Sequence, residues 1–154
     1  MANKFGDQVR AFTEKAKMRQ EVIFRESAQQ VMDDASKQEG EGGKMPRDVG
    51  FLVNSRAASI DGMPSGKSKP EKGATYSAPV NGDPALVFSK LELGQTVWAG
   101  WTAAYAMRME HGFSGKDSLG RQYEQAGKGF MRAAAQNWDF IVNEVTAKVK
   151  ARIP

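Results

Sequence analysis

Apolar residues recur at three- and four-residue steps from Phe5 to Ala35, and no other feature of the chain limits its fold as much. Phe5, Val9, Phe12 and Ala16 are followed by Val22, Ile23, Phe24, Ala28, Val31, Met32 and Ala35, which is the spacing of one helix face. The other face holds Arg10, Glu14, Lys15, Lys17, Arg19, Gln20 and Arg25. Residues 5–38 therefore read as one long helix. Asn3 suits its N-cap, and Asp7 falls in the first turn, where the helix dipole favours a negative charge. Gly40, Gly42 and Gly43 end it. Such a helix runs roughly 50 Å at 1.5 Å per residue, longer than a domain of this size is wide. Either part of it packs on a neighbouring subunit, or it breaks near Lys17–Glu21, where the apolar pattern slips.

A second stripe lies at the other end. Phe130, Ala134, Trp138, Ile141, Val145 and Val149 step by four or three, so residues 129–151 read as one continuous helix. Val142 widens the stripe, and Lys148, Lys150 and Arg152 match the dipole at its C-terminal end. Between the two helices, Phe51 to Ile60 reads as a helical turn and then a strand. Residues 61–83 are rich in Pro and Gly, with few large apolar residues, and read as a long loop; loops of that length are usually functional or disordered. Asp83-Pro84 is an N-cap followed by proline at the first helical position, opening a short helix closed by Gly94. Gln95 to Trp101 reads as a strand, and Tyr105 to Glu110 as a short helix stopped by Gly112.

The chain's 154 residues suit one domain. Its net charge of +4 permits contact with nucleic acid without arguing for it. There is no cysteine, which excludes disulfides, zinc-thiolate sites and a thiol nucleophile. The first residues hold no apolar signal-peptide core, and no window is apolar enough to predict a membrane span.

Few residues suggest chemistry. Glu110-His111 is the one acid–histidine neighbour pair, but adjacent helical residues point about 100° apart and do not converge as a general base or metal site requires. The structural reading is that Glu110 satisfies backbone amides or a neighbouring subunit's cation. Ser65-Gly66-Lys67-Ser68 resembles the tail of a phosphate-binding loop but lacks the glycine five residues earlier. Lys67, Lys69 and Lys72 make the first half of the loop basic, with solvation the plain reading and contact with DNA or an acidic partner the alternative. Trp98, Trp101, Tyr105 and Phe113 cluster in sequence, as core or as interface anchors. No catalytic, cofactor-binding or metal-ligating residues are expected. The candidates are interface residues: Glu110, Arg108, Trp98, Trp101, Tyr105, Lys67, Lys69 and Lys72.

Three stretches together resemble a phage family, the putative tail-component proteins of lambda-like siphophages, also called neck, head–tail joining or tail-completion proteins. Pro46-Arg47-Asp48-Val49-Gly50-Phe51-Leu52-Val53-Asn54-Ser55 is similar to the family's Pro-x-Asp-Thr-Gly-x-Leu-x-x-Ser, with Val49 in place of threonine. Tyr105-Ala106 through Glu110-x-Gly112 matches Tyr-Ala-x-x-x-Glu-x-Gly. Gln125-Ala126-Gly127-Lys128-Gly129-Phe130 resembles the Gln-Ala-Pro-x-Gly-apolar turn that opens the last helix, with Gly127 replacing proline. Order and spacing agree over about residues 5–150, apart from roughly ten extra residues, 115–124, before the last turn. The resemblance implies an α+β fold, with a long N-terminal helix and a C-terminal helix on a small twisted antiparallel sheet and a long central loop. It also implies a non-enzymatic virion protein, assembled in the host cytoplasm into a homo-oligomeric ring, commonly a hexamer, at the head–tail junction. Its partners would be a connector or stopper protein and the tail tube or tail terminator, with genomic DNA in the lumen and no membrane. A tail terminator capping the tube is the alternative within that family; a small nucleic-acid-binding module or an enzyme is the alternative outside it.

Overall fold

The computed structural model describes residues 4–154, so Asn3, the expected N-cap, lies outside the described residues. The fold is α+β: a long N-terminal helix, C-terminal helices and short antiparallel strand pairs. Helix α1 spans Lys4–Ser36 without interruption. The slip in its apolar pattern at Lys17–Glu21 is therefore no break. It marks the place where α1 leaves the body, because burial begins there: residues 4–18 are almost all exposed, whereas Ser27, Met32, Ala35 and Ser36 are buried. Side-chain pairs one turn apart reinforce the helix, Gln29 to Asp33 at 2.9 Å and Gln30 to Asp34 at 2.8 Å.

The C-terminal stripe is two helices, α5 (Phe130–Gln136) and α6 (Trp138–Arg152). Asn137 separates them, which corrects the single helix expected there. The break turns the stripe: Phe130, Ala134, Ile141, Val145 and Val149 are buried, while Trp138, next to the break, is exposed. Helix α6 runs back along α1, its Ile141, Val145 and Val149 packing with Val22, Ile23 and Val31. The seam ends at α1's Arg19, whose guanidinium donates to the Ile153 carbonyl at 2.7 Å, close to the Arg152–Glu26 pair at 2.6 Å.

The sheet is divided into two ribbons. Strands β1 (Arg56–Ser59) and β2 (Trp98–Trp101) pair antiparallel, Arg56 opposite Trp101. Strands β3 (Gly112–Lys116) and β4 (Gln122–Ala126) form a hairpin, Gly112 opposite Ala126. Short helices α2 (Phe51–Asn54), α3 (Pro84–Phe88) and α4 (Ala106–His111) lie between. Helix α3 begins as Asp83-Pro84 dictates, with the Ala85 N–H donating to the Asp83 carboxylate at 3.0 Å, but it ends at Phe88 instead of reaching Gly94.

Three apolar clusters form the interior. One joins Met45, Phe51, Leu52, Ala103, Ala106 and Phe130. A second joins Met32, Phe88 and Leu91, and the third is the α1–α6 seam. Trp101 packs against the first two, its ring edge-on to Phe130 at 5.0 Å. Each fully buried large side chain contributes roughly 1.5–3 kcal/mol, so the body is held by residues 19–36 of α1 and everything after it.

The 61–83 segment is irregular, as expected, but it is not a free excursion. The Ser68 N–H donates to the Thr102 carbonyl and the Ala104 N–H to the Ser68 carbonyl, both at 2.9 Å. Tyr76 packs edge-on to Phe51 at 4.8 Å, and its N–H donates to the Val49 carbonyl at 2.8 Å. The Asn81 side-chain amide donates to the Ser55 carbonyl and to the Thr102 hydroxyl. These ties satisfy backbone groups that would otherwise be buried unpaired.

Candidate functional site

Glu110 sits at the end of α4, facing the start of α5. Its two carboxylate oxygens accept from the Met131 N–H at 3.0 Å and the Arg132 N–H at 2.9 Å. Those amides have no partner inside α5, and a negative group at a helix N-terminus also meets the favourable end of the dipole. The junction is closed by backbone bonds from Lys128 N–H to the Met109 carbonyl at 2.7 Å and from Gly129 N–H to the Glu110 carbonyl at 3.0 Å.

The same junction explains two glycines. At Gly127 a Cβ would lie 2.5 Å from the Glu110 carbonyl oxygen, and at Gly112, where φ is +87°, 2.6 Å from the Gln125 carbonyl oxygen. Both contacts are with backbone and cannot be relieved by a side-chain rotation, so main chain passes main chain with no room for a side chain. The segment between them, expected as a lengthened turn, is the β3–β4 hairpin. Its tip is built by Asp117, whose carboxylate accepts from the Leu119 and Arg121 N–H groups, both at 2.9 Å, and from the Arg121 guanidinium at 2.7 Å. Partial desolvation raises the Asp117 pKa, but these hydrogen bonds outweigh it and leave it below the usual carboxylate value. The signal for the hairpin was present in Phe113 and Tyr123 flanking Asp117-Ser118-Leu119-Gly120, an Asx-type turn between two β-favouring aromatics.

The expected interface residues divide among several surfaces. Tyr105 and Arg108 line a cleft with Asp48, Phe113 and the hairpin residues Asp117 and Tyr123. The Arg108 guanidinium lies 4.2 Å above the Phe113 ring, a cation–π contact. Tyr105 also packs against the core cluster; burial, with Asp48 and Tyr76 nearby, holds its phenol above the ordinary value. On another side, Trp101 and Glu110 line an apolar groove of about 470 Å³ together with Met63, Met107 and Phe130. Trp98 lines a second, of about 500 Å³, with Phe24, Phe88, Val97 and Trp138. The two share Met63, Ala99 and Met131 and so form one continuous trough. Among the described residues the buried Trp101 indole nitrogen has no hydrogen-bond partner. Lys67, Lys69 and Lys72 are exposed on the tied-down loop and line neither the trough nor the cleft.

The expected set omits the most exposed apolar surface on a long element. Phe5, Val9 and Phe12 are 74%, 48% and 71% exposed. Their four- and three-residue spacing places them on one side of α1. Compared with protein-family models, curated proteins and solved structures, the chain finds no match.

Proposed function

We propose that this chain is a structural subunit of a long-tailed phage virion, forming a ring at the head–tail junction between the portal-side connector and the tail tube. The observation that carries the reading is the overhang of α1. Residues 4–18 extend about 22 Å beyond the body at 1.5 Å per residue, with a line of large apolar side chains in solvent. A single copy gains nothing from such a helix, because an isolated segment of this length is marginal in water. A subunit that completes its packing on a neighbour gains both stability and a direction of assembly.

The resemblance in the segments 46–55, 105–112 and 125–130 supports the same reading. Two of those segments meet at one place, the Glu110–Gly127 junction, where their side chains and glycines set one backbone geometry. Glu110 and Asp117 have structural duties in capping a helix and shaping a turn, and the binding surface on offer is apolar and extended. Electron microscopy tests the proposal. Closed rings of the purified protein, and the same ring in the neck of particles, are expected; a persistent monomer absent from particles overturns it.

A further inference from the structure

The overhanging stripe and the apolar trough are two halves of one contact that a single copy cannot make. Phe24 lines the trough and belongs to the same uninterrupted helix as Phe12. The two are twelve residues apart, or about 18 Å along a rigid axis, so the stripe cannot fold back onto its own trough. We propose that Phe5, Val9 and Phe12 of one copy seat in the trough of a second copy, between Met63, Val97 and Met131. This inference deepens the ring proposal and rests on it for its biological setting.

The chemistry and dimensions agree. The trough is walled mainly by Met, Trp, Phe and Ala side chains, and methionine adapts readily to an entering aromatic ring. The exposed methionines Met63 and Met107 lie along it. The stripe from Phe5 to Phe12 is about 10 Å long. Two phenylalanines bury roughly 150–250 Å² each, about half of the roughly 800 Å² per partner of a standard interface. Val9 and Ala16, on the same side of the helix, add to that. Each copy offers one stripe and one trough on different parts of its surface. Made one way, from each copy to the next, the contact is heterologous and repetition yields a ring if the rotation closes, whereas two copies exchanging stripes would stop at a dimer.

The absence of native cysteine makes the test direct. A Phe12→Cys variant and a Met63→Cys variant of the full chain are mixed under mild oxidation. Both positions are exposed, so folding is retained, and circular dichroism of each variant verifies this. The expected result is a mixed disulfide between the two variants, and, in the double variant, a ladder of cross-linked species ending at the ring size. Phe12→Asp should raise the concentration needed for assembly at least tenfold. Self-pairing of Phe12→Cys alone, a chain that stays monomeric, or rings that persist without the cross-link and tolerate Phe12→Asp, would each overturn the inference. The last result leaves the neck proposal standing. Conversely, stripe-to-trough cross-links in open filaments never found on particles would keep this contact and remove the neck proposal.

Discussion

The two halves of α1 share a sequence pattern and have opposite environments. Residues 19–36 carry Val22, Ile23, Val31 and Met32 into two apolar clusters, with Arg19 and Glu26 pinned to the end of α6. Residues 4–18 carry Phe5, Val9 and Phe12 into water. Hydrophobic periodicity thus identifies a face that is to be covered, but not the molecule that covers it. In the second half α6 covers Val22, Ile23 and Val31, with Arg19 tied to the Ile153 carbonyl, while Phe88 and Leu91 cover Met32.

The largest expected effect lies in the embedded region. Phe51→Ala should cost about 3–5 kcal/mol, read from the urea midpoint, because Phe51 is 2% exposed and touches Tyr76 and Tyr105. Gly127→Ala should cost about 1–3 kcal/mol, with faster amide exchange at the base of the hairpin, since the new methyl meets backbone at 2.5 Å. Glu110→Ala should cost about 1–2 kcal/mol, the value of a helix cap, whereas Glu110→Gln keeps one acceptor and should recover part of it; loss of protection confined to Met131 and Arg132 identifies the cap as the cause. In the overhang, Phe12→Ala should change monomer stability by less than about 0.5 kcal/mol while weakening self-association. An equal loss of monomer stability at Phe12 and Phe51 would erase the distinction between the overhang and the body. Hydrogen exchange sharpens it: amides of residues 5–18 should exchange orders of magnitude faster than those of 22–35 in the monomer, and slow down on assembly.

The smallest effect concerns pH. Asp117 is held below its ordinary pKa when folded. Its contribution to the hairpin tip is therefore fully present above the ordinary carboxylate value of 3.8 and is lost as pH falls through the lower folded value. Amide shifts of Leu119 and Arg121 should follow that titration, with the α1–α6 seam unmoved. A coincident transition at both places would show the hairpin to be coupled to the whole fold.

Much of this was legible in the residues. The extent of α1, the Asp83-Pro84 start of α3, the strand ending at Trp101 and the helix stopped by Gly112 all follow from local rules of spacing, capping and glycine punctuation. What escaped depends on tertiary contact. Asn137 interrupts the C-terminal stripe without proline or glycine, and only tertiary packing shows that Phe130 joins one apolar cluster and Ile141, Val145 and Val149 another. The 61–83 segment looks free because it is polar and proline-rich, yet Ser68, Tyr76 and Asn81 tie it to distant carbonyls, hydroxyls and rings. The hairpin between Gly112 and Ala126 was obscured by glycines that read as loop. Three of the interface candidates, Trp98, Trp101 and Glu110, line the trough, but the phenylalanines proposed to fill it were legible only as helix pattern.

An α1 without a joint has a mechanical corollary. A lever about 22 Å long moves its tip by about 2 Å for every 5° that the body tilts, so any copy that accepts the tip learns the orientation of the donor to within a few degrees. A closed circle of such copies would share out its angular error evenly, and a wrongly seated member would be felt by all the others.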